Sequence, residues 1–315
     1  MAPRIDLMTC MRDEAPFVVE FVAHHLVLGF SRVLIASNDC TDGTDTLLDA
    51  LAAAGAIGHL PHVVAPGEMP QRRGYRHLRA AFAVDRSDWA MALDADEFLC
   101  VHAGDRSLGA LLSEVSDGID ILALSAATFG PGGRTAWTPD PVTQVFRKAV
   151  PPTHRANGLV KSLFRRPSAF QAFQNHSPVG YRGPKRAPVV MTGNSEVWEA
   201  DPEVPLWKQL RHFRRDRIGH RLAQVNHYAT KTWDSFRLRI ARGRGAAPFG
   251  QPNTRHDLDY FDRIAQAATR PDEAIQAYAP AVAAKMAVLR ADPRVASAET
   301  EALARYAVRI AALDR

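Results

Sequence analysis

Cysteine is scarce in this chain: Cys10, Cys40 and Cys100 are the whole complement among 315 residues. An odd number at such wide spacing excludes a disulfide framework and a zinc knuckle, and buried thiols are expected instead. No stretch approaches the roughly 18 apolar residues of a membrane span, so none is expected. The N-terminus, Met1-Ala2-Pro3-Arg4-Ile5-Asp6, has no apolar signal-peptide core, which makes a cytoplasmic location the expectation. A Gly-X-Gly-X-X-Gly fingerprint and a Gly-Lys-Ser/Thr loop are both missing, and with them the dinucleotide and P-loop readings. Acids are missing from one long stretch, since residues 147–195 hold nine Lys or Arg and no Asp or Glu.

What is there is ordinary in amount and unusual in arrangement. A hydrophobic share of 46% and a charged share of 23% suit a globular enzyme with a full core. Residues 1–100 hold 8 basic against 14 acidic side chains, residues 205–245 hold 11 against 2, and residues 255–315 balance at 9 to 9. An acidic first third and a basic middle predict a cleft in which cations face an anionic ligand. The competing reading is a basic adaptor for nucleic acid or anionic lipid. No nucleic-acid signature is present, so no nucleic-acid partner is expected, while peripheral membrane contact stays open.

Alternation of apolar runs with capping residues predicts β-α-β-α from the start. Residues 4–11 read as a strand, and Asp13 as the N-cap of a helix ending near Leu28, with Gly29 as its stop. Residues 33–37 form a second strand, and a helix over 44–54 follows with Gly55 behind it. A weaker strand near 57–64, a helix over 71–84 and a strand over 89–93 come next, then a helix over 107–115 and a strand over 119–125. This order implies a mostly parallel sheet flanked by helices, with the loops after successive strands on one edge.

Chemistry is expected where the fourth strand ends. Trp89-Ala90-Met91-Ala92-Leu93 runs into Asp94-Ala95-Asp96-Glu97, so two carboxylates flank one small residue at a sheet edge, where open α/β sheets carry their sites. Oxygen ligands of this kind suit Mg²⁺ or Mn²⁺, which commonly arrive with substrate phosphates. A solvated acidic turn is the plainer alternative. Asp39, after the second strand, joins Asp94 and Asp96 on the same edge and can accept hydrogen bonds from a ribose or a base.

Taken together, these residues resemble the glycosyltransferase family 2-like proteins of GT-A fold. The likeness is carried by Arg12-Asp13-Glu14-Ala15-Pro16, by Asn38-Asp39-Cys40-Thr41-Asp42-Gly43-Thr44 and by Asp88-Trp89 through Phe98. It continues in Val160-Lys161-Ser162-Leu163-Phe164, His176 and Asn226-His227-Tyr228-Ala229-Thr230-Lys231, over roughly residues 5–250. The resemblance implies a GT-A-like Rossmann-type sheet (1–250) comprising a nucleotide-binding half (1–125) and an acceptor and diphosphate-binding half (126–250). Beyond it, 251–315 reads as a helical C-terminal extension, with helices over 258–268, 274–289 and 298–313. It also implies sugar transfer from a nucleotide diphosphate-sugar to a saccharide or other hydroxyl acceptor, usually with inversion, on a Mn²⁺ or Mg²⁺ centre.

On that reading Asp94, Asp96 and His227 are the metal ligands, although a lone His is often structural. Asp39, Asp94, Lys161 and Lys231 are the expected donor-binding residues, with UDP favoured because an Asp only accepts and so fits the uracil imide or the ribose hydroxyls. An inverting enzyme needs a base, and between Asp140 and Asp201 the only acids are Glu196 and Glu199; Glu196 is the choice and Asp140 the spare. Residues 227–250, with Arg242 and Arg244, are expected to close over the donor. The alternatives are a sugar-phosphate nucleotidyltransferase and the non-enzymatic basic adaptor.

Overall fold

The structure is a computed structural model and describes residues 3–185, 187–243, 245–250 and 257–313. Its centre is a sheet of β1 (Ile5–Met11), β2 (Arg32–Ser37), β3 (Gly58–Pro61), β4 (Trp89–Ala92), β5 (Glu97–Val101) and β6 (Ile121–Thr128), with further strands from the second half. A two-residue β7 (Lys148–Ala149) precedes β8 (Val160–Arg165), and β9 (Phe170–Phe173) and β10 (Pro178–Tyr181) make a separate hairpin. β11 (Val189–Thr192), β12 (Val197–Glu199) and β13 (Ala223–His227) complete the sheet.

The spatial order is β12-β11-β6-β8-β4-β1-β2-β3. β3, β2, β1 and β4 run parallel, as the alternation predicts, and β11 runs parallel to β6. β8 enters between β4 and β6 antiparallel to both, so its first residues, not its last, reach the edge where β4 ends. β13 pairs in parallel with β6 and antiparallel with β5, as a second ladder branching from that edge.

Both faces of the sheet are covered, which is why its strands are apolar throughout rather than alternating with polar residues. Leu7, Val33 and Ile35 face one core with Phe17, Val18 and Phe21 of α1 (Ala15–Leu28), while Met8, Leu34 and Ala36 face a second core. That second core contains Tyr75 and Leu78 of α3 (Pro70–Ala81) and Phe170 and Phe173 of the hairpin. α1 stops at Gly29, whose φ of 110° is left-handed and open to glycine at low strain. Gly74 lets α3 lie close on β1: a Cβ there would come within 2.5 Å of the Cys10 sulfur.

Asp13 does not cap α1. It adopts a left-handed φ of 50°, and its carboxylate accepts from the Thr41 amide at 2.7 Å. The cap comes from Asp42, buried and shared, which accepts from the Ala15 amide of α1 and from the Thr44 amide of α2 (Thr44–Ala53). Burial pushes the Asp42 carboxyl above its ordinary range, against the pull of Thr44.

The short helix α4 (Leu108–Ser113) precedes β6 and α5 (Val142–Val145) follows it, and later come α6 (Leu206–Gln209) and α7 (Trp233–Arg242). The C-terminal helices are α8 (Leu258–Ala267), α9 (Ala279–Arg290) and α10 (Pro293–Ala312). α9 packs on α1, α10 packs on α1, α2 and α7, and the Tyr278 hydroxyl donates to the Val101 carbonyl of β5. No helix among the described residues is long and apolar enough to cross a membrane.

Candidate active site

The ends of β1, β2 and β4 and the starts of β5 and β8 border one open cleft with a volume of about 1240 Å³. Asp94 stands in the turn after β4, 26% exposed, with one oxygen accepting from Gln71 Nε2 at 2.5 Å and the other from Lys161 Nζ at 2.9 Å. Gln71 belongs to the first turn of α3, so the close approach that Gly74 permits is what brings it to Asp94. Lys161 reaches the same place because β8 is antiparallel and begins at this edge. Its buried ammonium also lies 2.6 Å from Glu97.

Asp96 meets a different set of partners. In the β5–β13 ladder His227 stands opposite Glu97, so the imidazole comes down beside Asp96, with Nε2 3.6 Å from Oδ2. Arg239 of α7 donates to that same oxygen. His227 Nδ1 is buried with no hydrogen-bond partner among the described residues.

Charge at the centre is held by these pairs. Burial alone would raise the Asp94 and Asp96 carboxyls, but Lys161 holds the first below its ordinary range and Arg239 holds the second well below it. Burial would likewise lower Lys161, yet Asp94 and Glu97 keep it charged and raise it. Glu97 goes the other way, pushed up to about 7 by burial, against Lys161 and with Asp94 adding to the rise.

No three His, Cys, Asp or Glu side chains among the described residues are gathered as a ready metal cluster. The donor chemistry nonetheless fits a divalent cation: two ionised carboxylates and an imidazole with a free buried nitrogen border one cleft. Each carboxylate already has a cation beside it, Lys161 at Asp94 and Arg239 at Asp96, which balances the negative charge that an ion would neutralise.

The remaining expected residues fall elsewhere. Asn38 lines the cleft, whereas Asp39 is exposed beside it at a left-handed φ of 47° and accepts from Asn38 Nδ2 at 2.8 Å. Lys231 lines a neighbouring cavity of about 20 Å³, room for about one water, with its ammonium 4.3 Å above the Phe17 ring and its pKa lowered by burial. Glu196 is half-exposed 3.8 Å from Arg217, and Asp140 is exposed; neither borders the cleft. Arg165 and Arg166 lie at the far end of β8, paired with Asp117 and Asp120. The segment 245–250 is tied to the loop before α3, with the Phe249 amide donating to the Glu68 carbonyl at 2.8 Å and the Gln71 amide to the Gly245 carbonyl at 3.1 Å. Arg244 lies outside the described residues.

The residues that sequence reasoning missed are Gln71 and Arg239, along with the shared role of Arg242 and Glu14, whose ion pair closes the cleft wall beside Arg12. The signal available for Arg239 was its place in a basic helix directly after a strand-end His.

No family model matches the chain. Curated proteins do. It is 25% identical over 251 residues to a glycosyltransferase family 92 protein of Arabidopsis thaliana, covering 74% of this chain and 36% of that protein. A second, from Oryza sativa subsp. japonica, is 24% identical over 269 residues, covering 84% of this chain and 40% of the relative. Its relatives are named glycosyltransferases. The chain spans only 36% and 40% of their lengths, and their family is 92, so the family 2 likeness stands as a resemblance. Among solved structures, S. aureus TarS with UDP overlaps at a TM-score of 0.34 and 11% identity, over 52% of this chain and 47% of that one. Glucosyl-3-phosphoglycerate synthase from Mycobacterium tuberculosis, with Mn²⁺ and UDP, overlaps at 0.29 and 14%, over 54% and 60%. Overlaps this small carry no argument.

Proposed function

We propose that this chain is a glycosyltransferase that moves a sugar from a nucleotide diphosphate-sugar, with UDP favoured, to a hydroxyl acceptor, using a divalent cation and inverting the anomeric centre. One observation carries the reading: Asp94, Asp96, His227 and Arg239 converge at the strand-end edge of an α/β sheet, in a cleft large enough for a donor and an acceptor together. The glycosyltransferase names of its relatives support it.

Asp94, Asp96 and His227 would hold Mn²⁺ or Mg²⁺, which when bound supplies Lewis-acid stabilisation of the departing diphosphate. Lys161 keeps Asp94 ionised, and Arg239 and Arg242 present guanidinium groups where diphosphate charge develops. Asn38 and the adjacent Asp39 offer acceptor oxygens to the uracil imide or the ribose. In the transfer, the acceptor oxygen bonds to the anomeric carbon. The bond from that carbon to the diphosphate oxygen breaks with its electron pair, and the hydroxyl proton passes to water. The acids lining the cleft among the described residues, Glu14, Asp94, Asp96 and Glu97, all face cations, so none is poised as a covalent nucleophile, which favours single displacement.

The test is a panel of UDP-, GDP- and other sugar nucleotides, followed for hydrolysis and transfer with Mn²⁺ and with EDTA. Metal-dependent consumption of a UDP-sugar is the expected result. No consumption of any sugar nucleotide, together with no thermal stabilisation by UDP and Mn²⁺, would overturn the reading.

A further inference from the structure

Strand order gives the cleft a direction. From β2 it passes β1 and β4 to the start of β8 and the end of β6, so Asn38 marks one end, Asp94 and Asp96 the middle, and Leu159 and Thr128 the other end. The far end has no part in holding the nucleoside or the diphosphate on the reading above, and it is left for the acceptor. Its wall is built by His154 and Arg155 at the 3-10 turn before β8, by His176 and His212, and by Arg263 of α8.

That wall holds no acid among the described residues, whereas all four acids of the cleft stand toward the middle, on β1, β4 and β5 or their adjoining turns. For His154, Arg155 and His176 the sequence supplies the reason, since residues 147–195 contain no Asp or Glu. Arg155 and Arg263 differ from the cations at the centre. Lys161, Arg239 and Arg242 each pair with a carboxylate, but Arg155 and Arg263 have neither an ion pair nor a side-chain hydrogen bond among the described residues. They come from separate elements, are exposed and border one cavity, so both are available to an anionic group bound at that end.

We infer that the acceptor carries an anionic substituent, a phosphate or a carboxylate, which Arg155 and Arg263 hold while its hydroxyl is presented to the donor. The inference rests on the glycosyltransferase reading for the word acceptor, but the anion site stands on its own residues. Two unpaired guanidinium groups in a wall without acids discriminate between charged and neutral saccharides that are otherwise alike.

The test compares glucose, glucose 6-phosphate and glucuronate binding by calorimetry to the full chain, with the donor site saturated by UDP and Mn²⁺ and again without them. The wild-type protein should bind the charged sugars about tenfold tighter than glucose or better, and R155A/R263A should lose that preference while UDP affinity is unchanged. Preference for glucose 6-phosphate over glucuronate assigns the site to phosphate, and the reverse to carboxylate. Equal binding of charged and neutral sugars, including no binding of either, or a preference that survives in R155A/R263A, overturns the inference. Failure of UDP to bind and of any sugar nucleotide to be consumed strikes the glycosyltransferase reading instead, and the comparison without UDP still decides the anion site.

Discussion

Arg239 and His227 meet at one oxygen of Asp96: the guanidinium donates to Oδ2, and the imidazole Nε2 lies 3.6 Å from the same atom. An arginine therefore sits on a ligand atom that a divalent cation would use, and any ion must displace it or share the carboxylate with it. Arg239→Ala should bind Mn²⁺ several-fold more tightly than wild type without nucleotide, by calorimetry or electron paramagnetic resonance, while transfer slows by about tenfold, roughly 1.4 kcal/mol of barrier. Unchanged Mn²⁺ affinity in the variant would show that the two cations do not compete.

Beyond the metal-binding role proposed for it, Asp96 has a structural one. It is nearly inaccessible and carries the charge that keeps Arg239 paired. Asp96→Asn should abolish most of the activity, leaving less than about a tenth of the wild-type rate. It should also lower stability in urea by about 3 kcal/mol, because a mostly buried guanidinium is left without its counter-ion. Full stability with lost activity would place Arg239 in solvent when Asp96 is neutral.

The first half of the fold was legible because each element carries its own start and stop. Gly29 ends α1, Gly43 and Thr44 open α2, and apolar strands separate them. α7 likewise carries its own bounds, since Thr232 caps it and Gly243 ends it. The antiparallel entry of β8 and the β5–β13 ladder were not legible, because pairing partners far apart in sequence leave no local mark. Asp94, Asp96 and His227 could be picked out as strand-end polar residues, and the structure does bring them to one cleft. Elimination among acids in sequence is blind to placement: Glu196 lies between β11 and β12 at the far edge of the sheet, and Asp140 in the exposed loop before α5.

Glu196 provides a direct check on that point. It is half-exposed, 3.8 Å from Arg217 and outside the cleft that holds Asp94 and Asp96. Glu196→Gln should retain transfer activity within about twofold and stability within about 0.5 kcal/mol, as surface substitutions do. A loss of activity at unchanged stability would restore it as the base.

Glu97 makes stability depend on pH in a definite direction. Its folded pKa is raised from an ordinary 4.5 to about 7 by burial, so the protonated form favours the folded state. That contribution is fully present below pH 4.5 and is lost as pH rises through about 7. Between pH 4.5 and 8, wild type should lose about 3 kcal/mol relative to Glu97→Gln in paired urea titrations. A flat difference across that window would mean that Lys161 holds Glu97 ionised throughout.

The C-terminal helix reaches the donor end through Asp13. Arg309 of α10 lies 3.0 Å from Asp13, whose carboxylate also holds the Thr41 amide, and Tyr306 packs edge-on against Phe17 of α1. Thr41 follows the turn that carries Asn38 into the cleft, so α10 braces the loop on which the nucleoside is expected to rest. The brace touches no reacting group, and Arg309 is partly exposed, so its removal should cost only about 1 kcal/mol of stability. Arg309→Ala should therefore raise KM for the nucleotide-sugar about three- to tenfold with kcat nearly unchanged, the signature of lost ground-state binding. Arg309→Lys, which keeps the charge, should recover most of the affinity. A fall in kcat at constant KM, or equal KM in all three proteins, would separate α10 from the donor site and leave it a packing element alone.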